Sequence, residues 1–495
     1  MSQSPLRRRL RRRLTAVQAR LDAGAGDRWI PYVISLTLSV VLSVVSVSRL
    51  SGLETGPDLA GFTQSVWLIS EGISPTATIF GEGVHLLELR WSFLLYGFAL
   101  PAWVVPSDWL TIAETLLVAQ AMAVSLAVIP IWKLGREVAH LRVGAATAVC
   151  LGYALHPATQ AIGTVDFHPE ALALPALLSM VYFGSVKRWV PYWIFVAITL
   201  LTQADLGFVI AVFALLILGN ADRGAGLWTL GIGLVWSLGL LLVAQPLIGD
   251  TGVIGGVYGE YGDSFGDALL EIVSNPVAFL GDLFGRENLT LLLSLLTPML
   301  FLPLLSLRHL LPAVPAVVML LITQTTGDAG GLAPILAFVM VSSVFALNRL
   351  GNLGVDRVFV DPRLLAALVG VASLMFLTRS PLSPYEEPWK LGETDAADEE
   401  LIAAAARLDP SWPVRASSNV LPLLAERRFA YPLADEEPTV ASVVFRSRSV
   451  LIDQRTLEEP LSAAQLEAFT AQMTSLGYNL VNTDTDGTVL LYFRP

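Results

Sequence analysis

The chain has 495 residues, of which 54% are hydrophobic and only 15% charged. A soluble globular domain carries about 25% charged residues, so composition excludes an ordinary soluble enzyme and points to many membrane spans rather than one anchor. The net charge of −11 offers no basic surface for nucleic acid, and it is unevenly spread, with arginine crowding the N-terminus and acids crowding the stretch after Pro384. The single cysteine, Cys150, excludes an intramolecular disulfide and a cysteine-based metal site. Lysine occurs only at Lys133, Lys187 and Lys390 against many arginines, a usage that fits a GC-rich bacterial genome.

Residues 1–28 carry Arg7-Arg8-Arg9 and Arg11-Arg12-Arg13 ahead of an apolar run at 29–47. That run is longer than a signal-peptide core, and no small-residue cleavage site follows it. It reads as an uncleaved first span with a cytoplasmic, basic N-terminus. The chain then emerges into a long outer loop, 49–108, in which 59–70 forms a short helix. The apolar stretch 86–105 holds Glu88 and Arg90, which are costly in lipid. It is expected to lie on the surface or re-enter, because a crossing there would invert every later loop.

The basic residues then set the alternation. Spans are expected at 109–131, 143–162, 171–186, 189–202, 206–218, 227–247, 289–307, 310–322, 333–347 and 364–377, eleven in all with the first. A second long outer loop, 248–287, has an amphipathic part at 265–284, broken by Pro276, that suits the membrane interface. An acidic linker, 379–400, leads to a module at 401–495 in which helical and strand periods mix. Strands are expected at 413–416, 442–445, 449–452, 478–481 and 488–493, and a helix at 461–476. Asp486-Gly487 marks a hairpin turn. The fold expected is an α-helical multi-pass membrane domain (29–378) followed by a small extracytoplasmic α/β module.

The stretch Asp166-Phe167-His168-Pro169-Glu170 puts three ionisable side chains within five residues, between two apolar runs. Such groups at a membrane face ordinarily look into a cavity or water. Helix capping by Asp166 or His168 explains part of the pattern, with Pro169 in the first turn and Glu170 complementing the helix dipole. The functional reading is phosphate binding, or a divalent metal on Asp166, His168 and Glu170. Asp58 is either the cap of the 59–70 helix or a general base at the membrane surface. Asp205 interrupts an apolar region and either caps the next helix or joins the site. His85 sits in the first outer loop. Asp484-Thr485-Asp486 reads as a turn, and His156 before Pro157 as a packed or capping residue.

Three stretches carry a resemblance: Asp58-Leu59-Ala60-Gly61-Phe62-Thr63-Gln64, then His85, then Asp166-Phe167-His168-Pro169-Glu170-Ala171-Leu172-Ala173. Together they resemble a bacterial family of predicted membrane proteins classed as a domain of unknown function, similar in layout to the GT-C glycosyltransferases. The resemblance covers about 49–377, and Ser417-Ser418-Asn419-Val420-Leu421-Pro422 is similar to the start of that family's trailing module. It implies a polyprenyl-phosphate-sugar donor used on the outer face of the bacterial plasma membrane. It also implies a base at Asp58 and donor-holding roles for His85, Asp166, His168, Glu170 and Asp205. Two stretches depart from the family's pattern. Gln203-Ala204-Asp205 stands where Lys-Glu-Asp is usual, and Gly327-Asp328-Ala329-Gly330-Gly331 stands where a Tyr/His-containing run is frequent. The rival expectation is a non-catalytic scaffold or lipid-linked sugar carrier in envelope biogenesis. The carrier is disfavoured because midspan positions are apolar apart from Gln120, Gln245 and a few Ser and Thr.

Overall fold

In a computed structural model, the residues described are 15–19, 26–81, 84–104, 109–220, 222–248, 258, 261–262, 264–323, 329–353, 357–385, 392–433, 446–483 and 487–495. Apolar chain in lipid must satisfy its own backbone hydrogen bonds, and helices do so within one segment. Six helices are long and apolar enough to cross a membrane: Ile30–Ser51, Ile112–Val138, Arg223–Ala244, Leu302–Ile322, Leu332–Leu350 and Pro362–Arg379. Shorter apolar helices include Phe93–Val104, Val143–Ala154, Trp189–Thr202, Leu206–Gly219 and Asn288–Met299.

Proline divides what periodicity reads as single spans. The stretch 143–162 is two helices, Val143–Ala154 and Pro157–Thr164. The residue before a proline is pushed out of the helical region, so His156 turns extended and its Nδ1 accepts the Ala158 amide at 3.1 Å. The expected turn at Arg308-His309 lies instead inside the helix Leu302–Ile322. The break falls earlier, at Leu300 and Phe301, both with positive φ, between Pro298 and Pro303. The stretch 86–105 is not one helix. It holds Leu86–Arg90, Phe93–Phe98 and Ala99–Val104, each well short of the ~20 residues a crossing needs. Trp91, at φ 52°, ends the first of them.

The chain divides into two compact units, each discontinuous in sequence. The larger comprises 1–43 and 119–389. Its core gathers Leu42, Val124, Ile131, Tyr153, Leu177 and Phe338. Leu332–Leu350 is buried nearly all round, as an internal helix must be if it is apolar on every face. A two-strand ribbon pairs β1 (Asn352–Leu353) with β2 (Val358–Phe359).

The smaller unit comprises 44–118 and 390–495. Five strands form its sheet: β3 (Val414–Ala416), β4 (Ala430–Pro432), β5 (Ser449–Asp453), β6 (Asn479–Thr483) and β7 (Val489–Phe493). The order is β4-β3-β5-β7-β6. β4, β3 and β5 run parallel, while β7 is antiparallel to both neighbours. Helices Ala396–Ala406 and Ala463–Ser475 accompany it. Strand β4 has no counterpart in the sequence expectation, and the strand expected at 442–445 lies outside the described residues.

The stretch expected as the first outer loop belongs to this unit. Leu53, Ala60 and Ile79 share a core with Leu401, Val414, Leu421, Leu451 and Leu491. Gln64 on the helix Pro57–Ser70 fastens the two chain segments. Its Nε2 donates to the Arg427 and Arg428 carbonyls at 3.1 and 3.3 Å, and its Oε1 accepts the Ile79 amide at 3.2 Å. The Thr78 hydroxyl donates to the Ala430 carbonyl at 2.6 Å and accepts its amide at 3.0 Å. Ile112 joins from the far end of the loop, donating its amide to Glu426 at 2.9 Å.

Candidate active site around the Asp166–Glu170 loop

The helix Pro157–Thr164 ends at Val165, which is extended. Asp166 then adopts the left-handed conformation at φ 52°, which Asp tolerates better than most side chains. Its Oδ1 accepts the Phe167 amide at 2.8 Å. Phe167 is fully buried and anchors the loop. His168 is extended and precedes a 3-10 turn, Pro169–Leu172, in which Pro169 takes the first position and Glu170 lies in the first turn. His168 holds the cap position of that turn without a side-chain capping bond.

One side chain holds this backbone. Gln120, on the helix Ile112–Leu126, is fully buried. Its Nε2 donates to the Asp166 carbonyl at 2.7 Å, and its Oε1 accepts the His168 amide at 2.6 Å. Both ends of one amide thus satisfy the two backbone groups flanking Phe167. A buried amide without partners is costly, and here each partner answers the other.

His168 and Glu170 are 5% and 1% exposed. Both lie against Gly330. A Cβ on Gly330 would fall 2.6 Å from the His168 Cβ and 3.0 Å from Glu170 Oε2. Gly330, from the stretch that departs from the family pattern, therefore walls the site, and only glycine fits at that point. Asp328 lies outside the described residues.

Asp205 belongs to the same unit. It follows the helix Trp189–Thr202, which packs against the turn Pro169–Leu172. The link Gln203–Asp205 is held where Ser237 Oγ donates to the Ala204 carbonyl at 2.6 Å. Close approach of Gly207 to Gly233 permits this, since a Cβ on either would meet the other's carbonyl oxygen at 2.4 Å. Beside Asp205 lies Tyr258. Its phenol donates to Gln245 Oε1 at 3.3 Å. Burial pushes that phenol up to about 12, with the Gln245 bond opposing and the Asp205 carboxylate adding to the rise. Phe265 stacks on Phe208 at 5.7 Å and leans on Tyr258 at 6.2 Å.

Asp58 and His85 belong to the smaller unit. Asp58 is half-buried in the first turn of Pro57–Ser70 and is not its cap: Gly56 holds that position. His85 caps Leu86–Arg90, its Nδ1 accepting the Leu87 amide at 3.2 Å while Glu88 accepts the His85 amide at 3.3 Å. Among the described residues, no group of three or more His, Cys, Asp or Glu side chains is arranged to hold a metal ion. The three-ligand metal set expected of Asp166, His168 and Glu170 is thus not assembled here, in keeping with the Asp166 carboxylate folding back to its neighbour's amide.

Sequence reading missed Gly330 as a wall and Tyr258 beside Asp205. Gln120 was visible as a lone amide in an apolar run. The loop it meets was not.

The fold is shared with ArnT from Cupriavidus metallidurans. Against ArnT bound to undecaprenyl phosphate the TM-score is 0.52 at 12% identity, covering 93% of this chain and 97% of that one. Against apo ArnT it is 0.51, also at 12% identity, covering 92% and 97%. The apo oligosaccharyltransferase of Archaeoglobus fulgidus gives a TM-score of 0.42 at 15% identity, covering 81% of this chain and 64% of that one. No curated protein matches in sequence. The family profile of predicted membrane proteins designated DUF2079 matches residues 49–490, and the chain belongs to that family.

Proposed function

We propose that the protein is a membrane glycosyltransferase of the bacterial plasma membrane, moving a sugar from a polyprenyl-phosphate donor to a cell-envelope acceptor on the outer face. The observation that carries this reading is the buried pair His168 and Glu170, facing Gly330 on a loop locked by Gln120. Burying two ionisable side chains is expensive, and a merely structural loop does not require them. The ArnT-like fold supports the same class of chemistry by analogy.

In this reading Asp58 takes the proton of an acceptor hydroxyl. The hydroxyl oxygen attacks the anomeric carbon, the bond from that carbon to the phosphate oxygen breaks, and polyprenyl phosphate leaves with its charge. His168 and Glu170, with Asp166, His85 and Asp205, orient the donor's phosphate and sugar. The helices Phe265–Ser274 and Pro276–Leu283 expose Leu269, Leu270, Val273, Val277 and Leu280, and would border the lipid's path.

The scaffold reading has one observation in its favour: Gln203-Ala204 brings no charge beside Asp205. The two readings part under mutation. The purified protein, given a panel of polyprenyl-phosphate sugars and a cell-envelope extract as acceptor, should release polyprenyl phosphate. Asp58→Asn and Glu170→Gln should each lower that release by roughly 10²–10⁴ without loss of folded protein. Undiminished release from Asp58→Asn would remove the base, and absence of release from the wild type with every donor would favour the scaffold.

A further inference from the structure

The helix Leu302–Ile322 is long and apolar enough to cross a membrane, yet it carries Arg308 and His309 near its start. Ionisable groups in such a segment are costly and ordinarily serve a purpose beyond packing. His309 is buried, and its ring lies flat on Phe345, with centroids 3.9 Å apart at 5°. Its Nδ1 is bonded to Ser306 Oγ at 2.8 Å. Ser342 Oγ holds that turn in place, donating to the Pro303 and Ser306 carbonyls at 2.8 and 2.9 Å. The imidazole is thus fixed in position.

Two arginines accompany it. Arg349, one turn beyond Phe345, donates Nη1 to the Leu305 carbonyl at 2.7 Å. The charges of Arg308 and Arg349 both reach His309. Both arginines are exposed, and among the described residues neither is in an ion pair. A last-turn cation complements the helix dipole, and basic residues mark the cytoplasmic side. That accounts for Arg349, but not for Arg308 or for a fixed, buried imidazole beside it.

The cluster stands apart from the candidate active site. Gly330, against His168 and Glu170, lies just before Leu332–Leu350, and Arg349 lies in that helix's last turn. At ~1.5 Å per residue the helix puts about 28 Å between them. Around the arginines Leu304, Leu307, Leu311 and Leu350 are exposed. Cations bordered by exposed apolar side chains suit an amphiphile, and basic pockets between membrane helices bind anionic head groups.

We propose that Arg308, His309 and Arg349 hold the phosphate of an anionic phospholipid, at the opposite end of Leu332–Leu350 from the candidate active site. The guanidinium forks and the imidazole take the phosphate oxygens, and the exposed leucines meet the acyl chains. The site does not rest on the transferase reading, and a protein that transfers no sugar would keep it.

The test uses the full-length purified protein with phosphatidylglycerol or dioleoylglycerol, which lacks the phosphate, read by native mass spectrometry. The wild type should retain phosphatidylglycerol and not dioleoylglycerol. Arg308→Gln should lower that retention about tenfold, as loss of a charged hydrogen bond does. Arg308→Lys should recover most of it, and Glu170→Gln should leave it unchanged. Added phosphatidylglycerol should raise the unfolding midpoint of the wild type more than that of Arg308→Gln. Arg349→Gln should also lose the lipid, but it removes a bond to the Leu305 carbonyl, so Arg308→Gln decides if that variant fails to fold. Wild-type retention in Arg308→Gln, or equal retention of dioleoylglycerol, would overturn the proposal. Displacement of the lipid by inorganic phosphate would also overturn it, because the site would then serve a free anion.

Discussion

Gln120 is the residue on which the candidate site's shape depends. Replacing it with Leu leaves the Asp166 carbonyl and the His168 amide buried beside Phe167 without their partner. Each orphaned group costs about 1–3 kcal/mol, so Gln120→Leu should lower the thermal unfolding midpoint. It should also abolish the proposed transferase activity by freeing His168. Gln120→Glu keeps the acceptor and loses the donor, and should fall between the two. Gln120→Leu as stable as the wild type would show that the loop holds itself. The run at Asp166–Glu170 was legible in sequence because three ionisable groups between apolar runs have few bland explanations. Gln120 was legible only as an anomaly, since nothing local links it to a loop 46 residues away. Gly330 was not legible, because a glycine advertises freedom and here it supplies room.

At the scale of elements, proline decides most of the differences from periodicity. Asp58 was a reasonable cap until Pro57 is counted. Proline prefers the first helical position, which moves the cap back to Gly56 and leaves Asp58 inside the first turn. The same residue type divides the helix expected at 143–162 and keeps His156 as a cap. Capping also sets an acid limit. Asp395 and Asp398 form a capping box on Ala396–Ala406, and Arg455 reaches both, at 3.1 and 2.7 Å. The Asp398 backbone amide, then Arg455, hold the Asp395 carboxyl below its ordinary 3.8. A carboxyl whose folded value is depressed stabilises above its unfolded value and loses that contribution as pH falls through the folded one. Unfolding of the smaller unit should therefore become easier below about pH 4, and less steeply so in Asp395→Asn. The same acid slope in wild type and Asp395→Asn would rule out this carboxylate as a contributor.

At the scale of the molecule, the helical multi-pass membrane class was legible from composition, and the GT-C-like layout only through the family resemblance of stretches such as Asp166–Glu170. The partnership of residues 44–118 with 390–495 was not, since no local period encodes it. That partnership constrains topology. Gln64 and Arg427 are hydrogen-bonded, so residues 44–118 and the C-terminal sheet are expected on the same face of the membrane. An even number of crossings is then expected between them, which the ten expected from the alternation of basic loops would satisfy. Cysteines placed at the exposed positions Ser51 and Ser411 should both react with an impermeant thiol reagent in intact cells. Cys150 is buried and should add little background. Protection of both until lysis would reverse the orientation, and labelling of one alone would contradict the shared unit.

The partnership also sets a timetable for synthesis. Gln64 and Thr78 leave the ribosome more than 350 residues before Arg427 and Ala430. At ~5–20 residues per second that is a wait on the order of 20–70 s. Throughout it, Leu53, Ala60 and Ile79 lack the C-terminal half of their core. A nascent chain in this state presents apolar surface for chaperones to hold, and a chain stopped before residue 390 never completes it. Such truncated chains should be cleared by proteolysis rather than accumulate as a working membrane half.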